Sequence, residues 1–186
     1  VRISGCLFNL DQVEKDAIKI NSGSTGITID SNQFWWNYNS ETAGTGTTAE
    51  DYIEMGCADS SSTTLGCSIR NNLIVGSNRD AQDDTGITVL DGGGILGLGS
   101  TFLIEGNIIA GTGGDCMDLT MAGIVNANLM YGCGEAGITG TFAQGVISSN
   151  EIYVNSSGGT FTLDINASNA RRVGNNFPAN TSGRGA

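Results

Sequence analysis

The sequence predicts an all-β solenoid, a stack of about seven rungs of which two are enlarged. Three observations predict it: one six-residue phrase written seven times, a second apolar pair recurring between the phrases, and 29 glycines against 1 proline in 186 residues. Glycine at this abundance argues against a helical bundle, because each one in a helix interior costs about 1 kcal/mol relative to alanine. Isoleucine and valine run along the whole length and 39% of residues are hydrophobic, so the chain can bury a core and is not expected to be disordered.

The phrase is an aliphatic residue, two variable ones, a polar one, a variable one and an apolar one. Its copies are Ile3-Ser-Gly-Cys6-Leu-Phe8, Ile29-Asp-Ser-Asn32-Gln-Phe34, Ile69-Arg-Asn-Asn72-Leu-Ile74, Ile104-Glu-Gly-Asn107-Ile-Ile109, Val125-Asn-Ala-Asn128-Leu-Met130, Ile147-Ser-Ser-Asn150-Glu-Ile152 and Val173-Gly-Asn-Asn176-Phe-Pro178. Six of the seven place Asn at the fourth position, and the period is 21 to 26 residues apart from two enlarged steps of 40 and 35. The first position is β-branched throughout, which suits a pleated interior. Asn suits a bend, since it tolerates left-handed backbone angles and its amide can bond the amides above and below.

The second apolar pair reads Ile18-Lys-Ile20, Ile53-Glu-Met55, Ile87-Thr-Val89, Met117-Asp-Leu119, Ile138-Thr-Gly140 and Phe161-Thr-Leu163. Alternation over so few residues predicts short half-buried strands, and the Gly, Asn, Asp and Ser between them predict tight bends. One rung cannot bury its apolar side alone, but rungs about 4.8 Å apart pair their strands in parallel and line the aliphatic positions into interior columns. Between rungs, Asp30, Arg70 and Glu105 are expected to alternate in charge, as are Lys19 and Glu54.

The solenoid is expected to cover 1–178, with 179–186 an irregular tail, because Pro178 cannot donate to a strand ladder. Val1-Arg-Ile3 already lies in the first rung, so the chain is expected to be a processed protein or a piece of a longer one whose strand edges are covered. Eighteen apolar residues never run together and no basic stretch leads an apolar one, so neither a membrane span nor a signal peptide is expected. A net charge of −11 argues against nucleic acid as a partner.

The phrase Ile-x-x-Asn-x-Ile, preceded by strands such as Gly86 to Val89 and Gly137 to Thr139, resembles the right-handed parallel β-helix of the pectin-lyase superfamily. That superfamily includes pectate lyases, polygalacturonases, carbohydrate-binding repeats and bacteriophage tailspikes. The likeness implies a fold and leaves function to the site. It implies a virion tail spike or fibre that attaches to host-surface polysaccharide, or a secreted protein of similar build. The chain departs from the superfamily's hydrolases in having no histidine, which removes the histidine near their aspartate cluster as well as any histidine-ligated zinc.

On a rigid scaffold, function concentrates in outward columns and enlarged loops. The loop after Phe34 opens with Trp35, Trp36 and Tyr38, and the corresponding corner of the next rung carries Arg79, Asp80, Asp83 and Asp84. Aromatic faces beside polar planar groups suit a carbohydrate, so Trp35, Trp36, Tyr38 and Arg79 are the binding candidates; the two indoles equally suit packing under their own loop or against a neighbouring subunit. Asp80, Asp83 and Asp84 are the catalytic candidates for a rival reading as a polysaccharide lyase or glycosidase. Asp115 with Asp118 is a second acid pair, although aspartates in turns commonly serve turn chemistry. A purely structural virion spacer is the third reading.

No metal site and no cofactor is assigned. Expected partners are bacterial surface polysaccharide and further copies of the chain, as a homotrimer, or other virion proteins. Ile95, Leu96 and Leu98 in a glycine-rich loop suggest such packing. Five cysteines include no CxxC pair; they are expected as reduced, mostly buried thiols, with Cys57 and Cys67 the alternative bridge.

Overall fold

The computed structural model describes residues 1–10, 16–20, 24, 26–36, 51–55, 66–76, 85–90, 102–112, 115–133, 136–154 and 165–176. Among these residues there is no helix; sixteen strands form a ten-stranded and a six-stranded sheet, and every strand pairing is parallel.

The strands in chain order are β1 (Arg2–Ser4), β2 (Leu7–Leu10), β3 (Ile18–Ile20), β4 (Thr28–Asp30), β5 (Gln33–Trp36), β6 (Asp51–Met55), β7 (Ser68–Arg70) and β8 (Leu73–Val75), followed by β9 (Thr85–Leu90), β10 (Phe102–Glu105), β11 (Ile108–Ala110), β12 (Met117–Asn126), β13 (Leu129–Cys133), β14 (Ile138–Ser148), β15 (Glu151–Val154) and β16 (Ile165–Val173). The six-stranded sheet runs β2-β5-β8-β11-β13-β15. In the ten-stranded sheet β1-β4-β7-β10 and β3-β6-β9 converge on β12, whose length lets it pair with both, and β14 and β16 continue from it. The chain therefore returns through three columns of parallel pairing.

Each column buries its central apolar residue. Ile29, Ile69, Ile104, Val125 and Ile147 follow one another in register, as do Phe34, Ile74, Ile109, Met130 and Ile152, and Ile53, Ile87, Met117 and Ile138. All belong to a single core cluster. Phe8 stacks on Phe34 with ring centroids 4.7 Å apart at the edge of that core. Removing one such side chain to alanine would cost about 2–5 kcal/mol through lost transfer energy and the cavity left behind.

The polar position of the phrase builds a continuous amide network. Asn32, Asn72, Asn107, Asn128, Asn150 and Asn175 each present Oδ1 to a backbone N–H of the preceding repeat and, from Asn72 onward, to an Asn side-chain N–H as well. Each Nδ2 also donates to a carbonyl oxygen at the phrase's first position, from Ile3 to Ile147. Buried amides are tolerated because their hydrogen-bonding groups are matched.

Three sequence expectations need correction. The left-handed residue of the bend is not the ladder Asn but the residue before it: Gly5, Ser31, Asn71, Gly106, Ala127, Ser149 and Gly174 all have φ between 52° and 66°. The last phrase is also shifted by one position, because Ile147 pairs with Arg172 and the amide network continues to Asn175 rather than Asn176. Gly174 supplies the left-handed bend without a steric penalty, so the residue that follows it takes the ladder place. Ile138 likewise pairs with Ile165, while Phe161 and Leu163, expected in that column, lie outside the described residues.

The third correction concerns sulfur. Cys116 and Cys133 form a disulfide across a sequence separation of 17, with Cα atoms 5.3 Å apart. Cys116 immediately precedes β12 and Cys133 closes β13, so one passage through all three columns returns the chain to its starting side. Cys67 is buried and Cys6 exposed, and Cys57 lies outside the described residues.

Candidate functional site

The six-stranded sheet alternates an inward residue with an outward neighbour on each side, the period-two consequence of a pleated strand. On one side of the buried column stand Leu7, Gln33, Leu73, Ile108, Leu129 and Glu151; on the other stand Asn9, Trp35, Val75, Ala110, Tyr131 and Tyr153. Nine of these twelve are apolar or aromatic, and neither column holds a lysine or an arginine. Leu7, Trp35, Ile108 and Tyr131 are well exposed, with Tyr131 at 63%.

Three aromatic side chains lie in one column. The Trp35 indole Nε1 donates to the Gln33 Oε1 at 3.4 Å, tying it to its own strand. Tyr131 and Tyr153 face each other at a centroid distance of 5.8 Å and an interplanar angle of 54°. The Tyr153 hydroxyl donates to the Glu151 Oε1 at 2.6 Å. That hydrogen bond, with some burial and the nearby negative charge, pushes the phenol above its ordinary value and keeps it protonated. The arrangement is a strip with aromatic side chains near both ends and small apolar residues between, chemistry suited to the apolar face of a sugar ring.

The ten-stranded sheet carries the charge. Lys19 reaches Asp16 at 3.2 Å and also pairs with Glu54, its in-register neighbour, as the sequence suggested. Asp16 Oδ1 accepts the Asp51 amide at 3.1 Å. Burial alone would raise Asp16, but the Asp51 amide, the Glu54 hydrogen bond and Lys19 outweigh it and hold the carboxyl low. Burial raises Glu54, with Asp16 adding to that rise and Lys19 opposing it. Carboxylate oxygens of Asp16, Asp51 and Glu54 lie within 4.8 Å of one another, closer than the about 5–5.5 Å of a retaining glycosidase pair. With the Lys19 ammonium already on two of the three, the group reads as an ion-pair cluster.

Asp30, Arg70 and Glu105 follow in register, yet Asp30 pairs with Arg2 and accepts from Asn71, while Glu105 accepts from Asn126. Among the described residues no ion pair joins Arg70 to either acid. Asp115 and Asp118 also separate in role: Asp115 accepts the Ala136 amide at 2.7 Å, and burial raises Asp118.

Of the binding candidates, Trp35 stands exposed on the strip. Trp36 ends β5 opposite Leu10, but its side chain, together with Tyr38 and Arg79, lies outside the described residues. The same holds for the catalytic candidates Asp80, Asp83 and Asp84 and for Ile95, Leu96 and Leu98. Sequence reasoning overlooked Tyr131 and Tyr153; reading one residue beyond the last apolar position of each phrase would have found them. Compared with protein-family models, curated proteins and solved structures, the chain matches none.

Proposed function

We propose that the chain is a right-handed parallel β-helix of about seven rungs that binds polysaccharide on its six-stranded face, in the setting of a virion tail spike or fibre attaching to a bacterial surface. The observation that carries the binding role is the aromatic column of Trp35, Tyr131 and Tyr153 on an exposed, rigidly paired sheet. Three columns of parallel pairing, two of which merge through β12, support the solenoid, because a chain that re-enters each column at every repeat is wound. The virion setting rests on the sequence resemblance to tailspikes. The Cys116–Cys133 bridge supports residence outside a reducing cytosol, on a virion or in a secreted protein.

Affinity electrophoresis in gels containing bacterial surface polysaccharides tests the proposal. The intact chain should be retarded by at least one of them, and Trp35→Ala and Tyr131→Ala should each release it. Unchanged migration in all gels refutes the binding role and leaves the virion spacer. The lyase or glycosidase reading rests on Asp80, Asp83 and Asp84 and gains no support from the described carboxylates.

A further inference from the structure

The two sheets divide their chemistry sharply. Every ion pair among the described residues lies on or beside the ten-stranded sheet, where Arg2, Lys19, Asp30 and Glu54 of its strands and Asp16 just before β3 take part. The six-stranded strip has one ionisable acid, Glu151, and its carboxylate already accepts the Tyr153 hydroxyl. A polyanion laid on this strip would meet no cation there, and the chain's net charge of −11 would repel it. An uncharged ligand meets neither penalty.

The shape of the strip narrows the choice further. Six strands about 4.8 Å apart and outward positions two residues apart give a strip about 24 Å long whose two columns stand about 7 Å apart. Its twelve outward residues fall short of the about 20–30 residues a side of a standard protein interface, so a second copy is a poor occupant. The strand spacing is close to the rise of one hexopyranose in an extended chain. A glycan lying along the aromatic column would therefore place about one ring over each strand. Trp35 and Tyr131 are three strand steps apart, about 14 Å, and the intervening Val75 and Ala110 are too short to lift the chain off the sheet. Tyr153 extends the platform by one further step.

We infer that the six-stranded face is a binding strip for a neutral, extended hexopyranose polymer lying perpendicular to the strands, with Trp35 and Tyr131 stacking on rings three strand steps apart in a segment of about five sugars that ends at Tyr153. This inference rests on the polysaccharide-binding reading and specifies its ligand class and direction.

Isothermal titration with cello-oligosaccharides of increasing length as neutral probe, and oligogalacturonates as acidic probe, tests it. Affinity for the neutral series should climb with length and level off near about five residues. Trp35→Ala and Tyr131→Ala should each weaken it about fivefold or more, and Tyr131→Phe, which keeps the ring, should bind nearly as the parent. Circular dichroism of each variant checks that it is folded. Preference for oligogalacturonates, still lost in the alanine variants, overturns the neutral class while leaving polysaccharide binding intact. Neutral binding unaffected by the alanine variants overturns the strip. If neither probe binds and sedimentation shows self-association that Tyr131→Ala abolishes, both this inference and the polysaccharide reading fail.

Discussion

Replacing Asn107 tests whether the amide network holds the stack together. Its side chain accepts the Asn72 backbone N–H and the Asn72 Nδ2, each at 3.0 Å, and donates to the Ile69 carbonyl and the Asn128 Oδ1, each at 2.9 Å. Asn107→Ala deprives three buried groups of a partner: the Asn72 N–H, one Asn72 amide hydrogen and the Ile69 carbonyl. Asn128 Oδ1 keeps the Asn107 backbone N–H. At about 1–3 kcal/mol per stranded buried group, partly relieved by relaxation and entering water, the loss should be about 4 kcal/mol. Out of a typical total of about 5–15 kcal/mol this is a large fraction.

Asn107→Asp makes the test sharper, because it keeps shape and Oδ1 but sets an acceptor where Nδ2 donated. At neutral pH the buried carboxylate opposes two oxygens; once protonated, its hydroxyl restores one of the two bonds. Its folded pKa should lie above the unfolded value, so stability is present at low pH and is lost as pH rises through the folded pKa. Urea denaturation followed by circular dichroism at acid and neutral pH, referenced to the parent at each pH, measures both effects. An alanine variant within about 1 kcal/mol of the parent, or an Asp variant with the same deficit at both pH values, would refute the structural role of the network.

Ala127 has φ 52°, so Ala127→Gly should raise the denaturation midpoint, with a gain of about 0.5–1 kcal/mol, and an unchanged or lower midpoint would count against the left-handed bend. Breaking the bridge with Cys133→Ser should cost about 3 kcal/mol, the loop-closure value for a separation of 17, and thiol-trapping mass spectrometry of the parent should find Cys116 and Cys133 protected. Burial raises Asp118, so its contribution is greatest below its unfolded value of about 3.8 and is lost as pH rises; Asp118→Asn should raise the midpoint at neutral pH and leave it unchanged at about pH 3. Asp16 is held low and has the opposite sign, so its contribution is lost as pH falls, and Asp16→Asn should flatten the acid limb of a stability profile.

Much of the fold was legible because the repeat couples two independent signals, a β-branched interior residue and an amide three positions on. Six copies fall into register as written, from Ile3 to Ile147. The seventh did not, because Asn175 and Asn176 offered two registers and only the bend at Gly174 distinguishes them. The left-handed column was hidden because its Gly, Ser, Asn and Ala residues have no one side-chain chemistry in common, only a backbone angle. The Cys116–Cys133 bridge depends on where the chain returns after passing all three columns, which spacing alone does not encode. The aromatic strip was half visible: Trp35 drew notice as one of an adjacent pair, whereas Tyr131 and Tyr153 are 22 residues apart and become neighbours only through strand pairing.

The Asn–Asn bonds all run one way: from Asn32 to Asn150, one N–H of each amide points to the Oδ1 of the later repeat, so each accepting oxygen faces the earlier one. Their dipoles therefore add along the stack, as peptide dipoles do in an α-helix, and each bond polarises the next. The column has an oxygen end at Asn32 and an N–H end at Asn175. Cutting it at Asn107 leaves two short oriented chains, whereas cutting it at Asn175 leaves one long one. Identical substitutions should therefore be more costly at the middle of the stack than at its end, a cooperativity that a set of independent hydrogen bonds would lack.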